Sequence, residues 1–114
     1  MRIESDSALV DTSGTITIEL ARVPAHEEWW VQVIAISCTS TVQTSFYAFR
    51  DEPELSRVID KTERGNFNVA EEESARWIAS GARILVAWYG ASMLDSDGNT
   101  TRGECSMQIA SRRI

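Results

Sequence analysis

The sequence predicts an all-β protein, a single antiparallel β-sandwich, jelly-roll-like or Ig-like, of about seven or eight strands. The strongest sign is the stretch from Trp29 to Cys38. It holds no Gly or Pro and is rich in aromatic and β-branched residues, the composition of a long buried strand. Elsewhere apolar and polar residues alternate with the period of half-buried antiparallel strands, as at 15–20 and 104–109. Turn residues punctuate the chain about every ten residues, the spacing of a sandwich or barrel. No repeat, low-complexity tract or linker divides the chain, and 114 residues with 43% apolar content can build one core.

Residues 1–13 read as an extended N-terminal arm that orders on binding, ahead of a sandwich domain at 14–114. The first predicted strand, 15–20, places Ile16, Ile18 and Leu20 on one face and Thr15, Thr17 and Glu19 on the other. Val23 to Glu28 is a polar turn, where Pro24 cannot donate to a ladder.

The Trp29–Cys38 strand has two apolar parities: Trp29, Val31 and Val33 share one, Ile34, Ile36 and Cys38 the other. Either both faces are buried, or a β-bulge near Gln32-Val33 points Trp29, Val31, Ile34, Ile36 and Cys38 all inward. The bulge is preferred, because a small sandwich has a solvated outer face; Trp30 then points outward. Residues 45–50 form the next strand, ended by Asp51-Glu52-Pro53-Glu54. Residues 55–60 are ambiguous, with Pro53 suited to the first turn of a short helix containing Leu55, Val58 and Ile59.

Residues 61–68 read as loop, turning at Gly65-Asn66. Glu71 to Arg76 has helix-forming composition, but a short strand at 76–79 fits the alternation better. It turns at Ser80-Gly81 into a strand with Ile84, Val86 and Trp88 on one face and Arg83, Leu85, Ala87 and Tyr89 on the other. A loop at 90–99 ends in the turn signal Asp97-Gly98-Asn99. The last strand points Cys105, Met107 and Ile109 inward and Glu104, Ser106 and Gln108 outward.

Charge and motifs narrow the function classes. With 17 acidic against 11 Lys and Arg residues, the net charge of -6 argues against a nucleic-acid partner, and Arg112-Arg113 is too short a basic run to change that. No apolar run reaches the ~20 residues of a membrane span, so no membrane partner is expected. Met1 to Asp6 lacks a signal-peptide apolar region, which leads to an expected cytoplasmic synthesis. Cys38 and Cys105 read as buried reduced thiols.

No enzyme is expected. His26 sits in a polar turn with no nucleophile motif near it. One His and two Cys lack zinc-ligand spacing. Asp95-Ser96-Asp97-Gly98-Asn99 opens like a calcium loop, but Thr100 and Ser106 stand where an EF-hand needs Gly and Glu, so an ordinary turn is expected and no metal or cofactor. The carboxylate runs Glu27-Glu28, Asp51-Glu52-Glu54 and Glu71-Glu72-Glu73 read as solvated charge rather than an acid–base pair.

Trp29 and Trp88 read as core. Trp30, Trp77 and the arm residues Arg2 and Ile3 are the candidate interface residues.

Several short motifs occur in order over residues 16 to 92. They are Glu28-Trp29-x-Val31, Ile36-Ser37-Cys38-Thr39-Ser40, Tyr47, Ile59-Asp60-x-Thr62-x-x-Gly65-Asn66, Gly81-x-x-x-Leu85-Val86-x-Trp88 and Gly90-Ala91-Ser92. In these the chain resembles small β-sandwich virion proteins of tailed phages that infect actinobacteria. Similar chains often carry Tyr-Arg-Gly where this one has Phe49-Arg50-Asp51. The family has no catalytic motif to carry over. The resemblance implies a non-enzymatic structural protein of the virion, most concretely a capsid decoration protein on the outer surface of the assembled shell. Its partners would be the major capsid protein or other virion proteins, and it would be a homo-oligomer in the particle. A tail, connector or host-binding tip protein is the alternative within the virion. A carbohydrate-binding module using Trp30 or Trp77 as a platform is the alternative outside it.

Overall fold

The computed structural model describes residues 2–62 and 76–114. Among them are the strands β1 (Arg2–Leu9), β2 (Ile16–Arg22), β3 (Glu27–Cys38), β4 (Ser45–Arg50), β5 (Val58–Thr62), β6 (Arg76–Ile78), β7 (Arg83–Tyr89) and β8 (Arg102–Arg113). They form two four-stranded antiparallel sheets, ordered β1-β8-β3-β6 and β2-β7-β4-β5. First strand beside last and second beside next-to-last is the order of an eight-stranded jelly roll. An Ig domain instead splits its strands ABED from CFG, so topology decides between the two sandwiches that composition left open.

The inner faces meet in one core. Ile16, Ile18, Phe46, Ile84, Val86 and Trp88 come from one sheet, and Trp29, Val31, Val33, Ile36, Ile78, Met107 and Ile109 from the other. Trp29 and Trp88 are both buried, as their parity predicts. The indole Nε1 of Trp29 donates to Glu27 Oε1 at 3.4 Å, so the largest buried polar tip on this strand has a partner. The β8 alternation also holds, with Cys105, Met107 and Ile109 all buried.

β3 carries a bulge, displaced from the expected place. Its register with β8 shifts between Val33 and Ala35, so the extra residue is Ile34. Val33 is therefore buried opposite Met107, whereas Ile34, expected inward, is only half-buried. Parity favours a bulge over a strand buried on both faces, but two adjacent apolar residues look alike to it; the cross-strand register shows the bulge and decides which residue is extra. β2 has a similar irregularity between Glu19 and Ala21, which leaves Leu20 half-buried at the rim of the core.

The ambiguous stretch after Pro53 forms one 3-10 turn, Leu55–Arg57, rather than a short helix containing Leu55, Val58 and Ile59. Val58 and Ile59 belong to β5, where Ile59 is buried in the core. Two β-branched residues gain more from a sheet edge than from a one-turn helix, whose nucleation cost is never recovered. The residues 2–9 of the expected arm are also a strand, β1, paired along its length with β8. Asp51 adopts φ 67°, the left-handed conformation glycine takes freely. Its Oδ1 accepts from the Arg83 backbone N–H at 3.0 Å, which ties the end of β4 to β7. The Gly65-Asn66 turn and the choice between helix and strand at 70–75 lie outside the described residues; Arg76–Ile78 is strand, as expected.

The outer face of the β2-β7-β4-β5 sheet is more apolar than a solvated face requires. Phe49, Leu85 and Ala87 are buried there as a second, smaller cluster, flanked by Tyr47, Val58 and Tyr89. Tyr47 stacks on Phe49 with ring centroids 5.7 Å apart and meets Tyr89 edge-on at 5.9 Å.

Thr101 is fully buried, and among the described residues its Oγ1 has no hydrogen-bond partner. Thr101→Val removes a desolvated hydroxyl at nearly constant shape. It is expected to leave stability unchanged or raise it by up to about 1 kcal/mol, read as the urea midpoint at constant m-value.

Candidate functional site

The outer face of the β1-β8-β3-β6 sheet carries the candidate site. Strand alternation sends Trp29 inward and Trp30 outward. The β3–β6 register then sets Trp77 directly opposite Trp30, and the β3–β8 register sets Ala110 on its other side. The two indoles, both half-buried, meet edge to face with centroids 5.7 Å apart and planes at 64°. The neighbour on that flank, Ala110, carries only a methyl group.

Two residues along, on the same face, Arg112 stands opposite Glu28. The Arg112 Nε donates to Glu28 Oε1 at 3.0 Å, and the guanidinium carbon lies 3.9 Å from the centroid of the Trp77 ring. The Arg112 side chain is half exposed, so the ion pair itself contributes only about 0–1 kcal/mol. Its larger effect is positional: it holds a cation over an aromatic face, an arrangement worth about 0.5–1 kcal/mol at exposed sites.

Ile3 shares this face. It pairs with Gln108, which pairs with Gln32, the residue on the same side of β3 as Trp30. Ile3 is 63% exposed. Arg2 occupies the alternate position, opposite Ile109; its side chain lies outside the described residues. Three of the candidate interface residues, Trp30, Trp77 and Ile3, are thus gathered on one sheet face by pairings between strands distant in sequence.

Of the other candidates weighed for chemistry, His26 and Asp95 lie in turns, and Glu71-Glu72-Glu73 lies outside the described residues. His26 has φ 65° in a turn, and its carbonyl accepts from the Ile114 N–H at 2.9 Å. Asp95 Oδ1 accepts from the backbone N–H groups of Asp97 and Asn99 at 2.9 and 3.0 Å, the Asx geometry of an ordinary loop. Among the described residues no group of three or more His, Cys, Asp or Glu side chains is placed to hold a metal ion.

Cys38 and Cys105 are both buried and not joined in a disulfide. Burial pushes the Cys38 thiol up from its ordinary value. Both thiols are expected to react with an aromatic disulfide reagent at pH 8 far more slowly in the native protein than in denaturant. Equal rates in the two states would contradict the burial.

Sequence reasoning left out two features. Glu28 and Arg112 read as a solvated carboxylate and a short basic tail, and only the β3–β8 register joins them. Val42, Met93 and Leu94, each about half exposed, lie on loops at one end of the sandwich. The Ser40 and Ser92 hydroxyls lie 3.3 Å apart, and Ser92 Oγ accepts from the Thr41 N–H at 2.9 Å, tying these two loops together. A search for large apolar residues inside turn segments finds the three residues, but not that their loops adjoin.

No family model matches the sequence, and no match is found among curated proteins.

Proposed function

We propose that this protein is a non-enzymatic structural component of a virion, most concretely a capsid decoration protein that binds the outer surface of an assembled shell. The observation that carries the binding role is the Trp30–Trp77–Arg112 group on the outer sheet face. Trp and Arg are the residues most enriched among those that dominate protein–protein binding energy. Here they are clustered, oriented and accessible.

The virion assignment leans on the resemblance over residues 16 to 92. The jelly roll supports it by analogy only, since capsid and lectin domains both use that architecture. Tail or connector location is the nearest competitor and has the same surface requirements. A sugar platform fits less well: it needs an open ring face, whereas Arg112 covers one face of Trp77 and the two indoles are far from coplanar.

The test is co-sedimentation of the purified protein with assembled shells, and separately with isolated tails, of its own phage. Binding to shells is expected. Trp30→Ala should weaken it about 30-fold or more while changing stability by less than the loss of a core tryptophan, because Trp30 is only half-buried. Binding to neither fraction would overturn the proposal, and binding to tails alone would move the protein there. A shift of tryptophan fluorescence on titration with cell-wall glycans would favour the carbohydrate reading.

A further inference from the structure

β1 is attached to the sandwich differently from β3 and β8. No residue from Ile3 to Leu9 is buried, and both ends are open, Ile3 at 63% and Leu9 at 51% exposure. The positions that face core residues of β8 hold Glu4, opposite Met107, Asp6, opposite Cys105, and Ala8, opposite Gly103. None is a large apolar side chain. Its contacts include its backbone register, 2–9 against 102–109, the packing of the partly buried Ala8 against the core, and Arg102 Nη1 donating to Ser7 Oγ at 2.9 Å. Edge strands without buried side chains open locally at low free energy.

The anchoring begins one residue later. Val10 is buried and its N–H donates to the Thr101 carbonyl at 2.8 Å. The following turn is fixed by Asp11 Oδ1, which accepts from the N–H groups of Ser13 and Thr15 at 2.8 and 3.0 Å. Opening therefore hinges between Leu9 and Val10: Ala8 leaves the margin of the core and Val10 stays buried in it. It bares the edge of β8, a row of unpaired backbone donors and acceptors.

We propose that β1 exchanges between copies of this chain, each copy placing its residues 2–9 along β8 of the other. The occupant of the bared edge is set by the cis structure: the same segment from a second copy restores every backbone bond in the same register. Reciprocal exchange closes with two-fold symmetry, and it becomes favourable as the local concentration of copies rises. The inference rests on the fold and is independent of the virion assignment.

Ser5 stands opposite Ser106, which supplies the test. Full-length Ser5→Cys and Ser106→Cys chains are mixed, oxidised with diamide and mapped by peptide mass. An S5C–S106C disulfide between chains is expected, with a yield that rises with protein concentration. The double variant Ser5→Cys/Ser106→Cys, oxidised in dilute solution to lock the strand in cis, should stay monomeric where the unmodified chain self-associates. Absence of the mixed interchain link in chains whose circular dichroism matches the unmodified protein would overturn the proposal. So would hydrogen exchange of the unmodified chain in which β1 amides are as protected as those in the middle of β3.

Discussion

Trp88→Ala is expected to destabilise the protein by about 3–5 kcal/mol, read from urea unfolding followed by far-ultraviolet circular dichroism. Trp88 is fully buried near the end of β7, tilted against Phe46 with ring centroids 5.1 Å apart. It pairs in register with Ile16 of β2 and Phe46 of β4, so its ring is shared by three neighbouring strands of one sheet and by the sheet opposite. Rigid strands on every side cannot collapse into the space the indole leaves, which places the cost at the upper end for a core truncation. Since a small domain holds about 5–15 kcal/mol in total, the variant should be close to its unfolding threshold at room temperature. A loss below about 1 kcal/mol would show that the two sheets do not pack through this residue.

Gly103→Ala is expected to cost about 1–3 kcal/mol or more, although it adds a single methyl group. A Cβ at this position would lie 2.8 Å from Cε3 and Cζ3 of Trp88 and 3.1 Å from Cγ2 of Ile16. An aromatic ring wedged in a core cannot bend away, so the backbone of β8 must move instead. Gly103 is thus the counterpart of Trp88: the absent side chain on one sheet makes room for the largest one on the other. The two sites should couple. In a Trp88→Ala background, Gly103→Ala should cost at least about 1 kcal/mol less than in the unmodified protein, a difference that a double-mutant cycle measures. Additive costs would separate the two residues and contradict the packing.

Much of the sandwich is legible in the chain. The inward parity of Trp29 and Trp88 and the alternation of Cys105, Met107 and Ile109 follow from residue order, and the parity break in β3 favours the bulge that the register shows. These elements carry their own apolar stripe, so local pattern and tertiary burial agree. β1 and β5 lack that pattern. β1 has Glu4 and Asp6 at the positions facing core residues of β8, and its strand conformation comes from the edge of β8. β5 extends the sheet beyond β4, with Ile59 as its buried residue, and the preceding Pro and acidic residues resemble a helix start.

The candidate site divides in the same way. That Trp30 points away from the core follows from its place beside Trp29 in an alternating strand. That Trp77 stands against it, that Arg112 covers Trp77 while held by Glu28, and that Ile3 shares the face depend on cross-strand register. The sequence by itself determined an all-β sandwich, its main strands, the core tryptophans and the outward turn of Trp30, because side-chain periodicity and turn chemistry are local properties. Tertiary structure alone decided the jelly-roll order, the position of the bulge, the pairing of β1 with β8 and the assembly of the Trp–Arg group. Each of these is set by which strand lies beside which, and that choice is made by burying the stripes of all the strands at once.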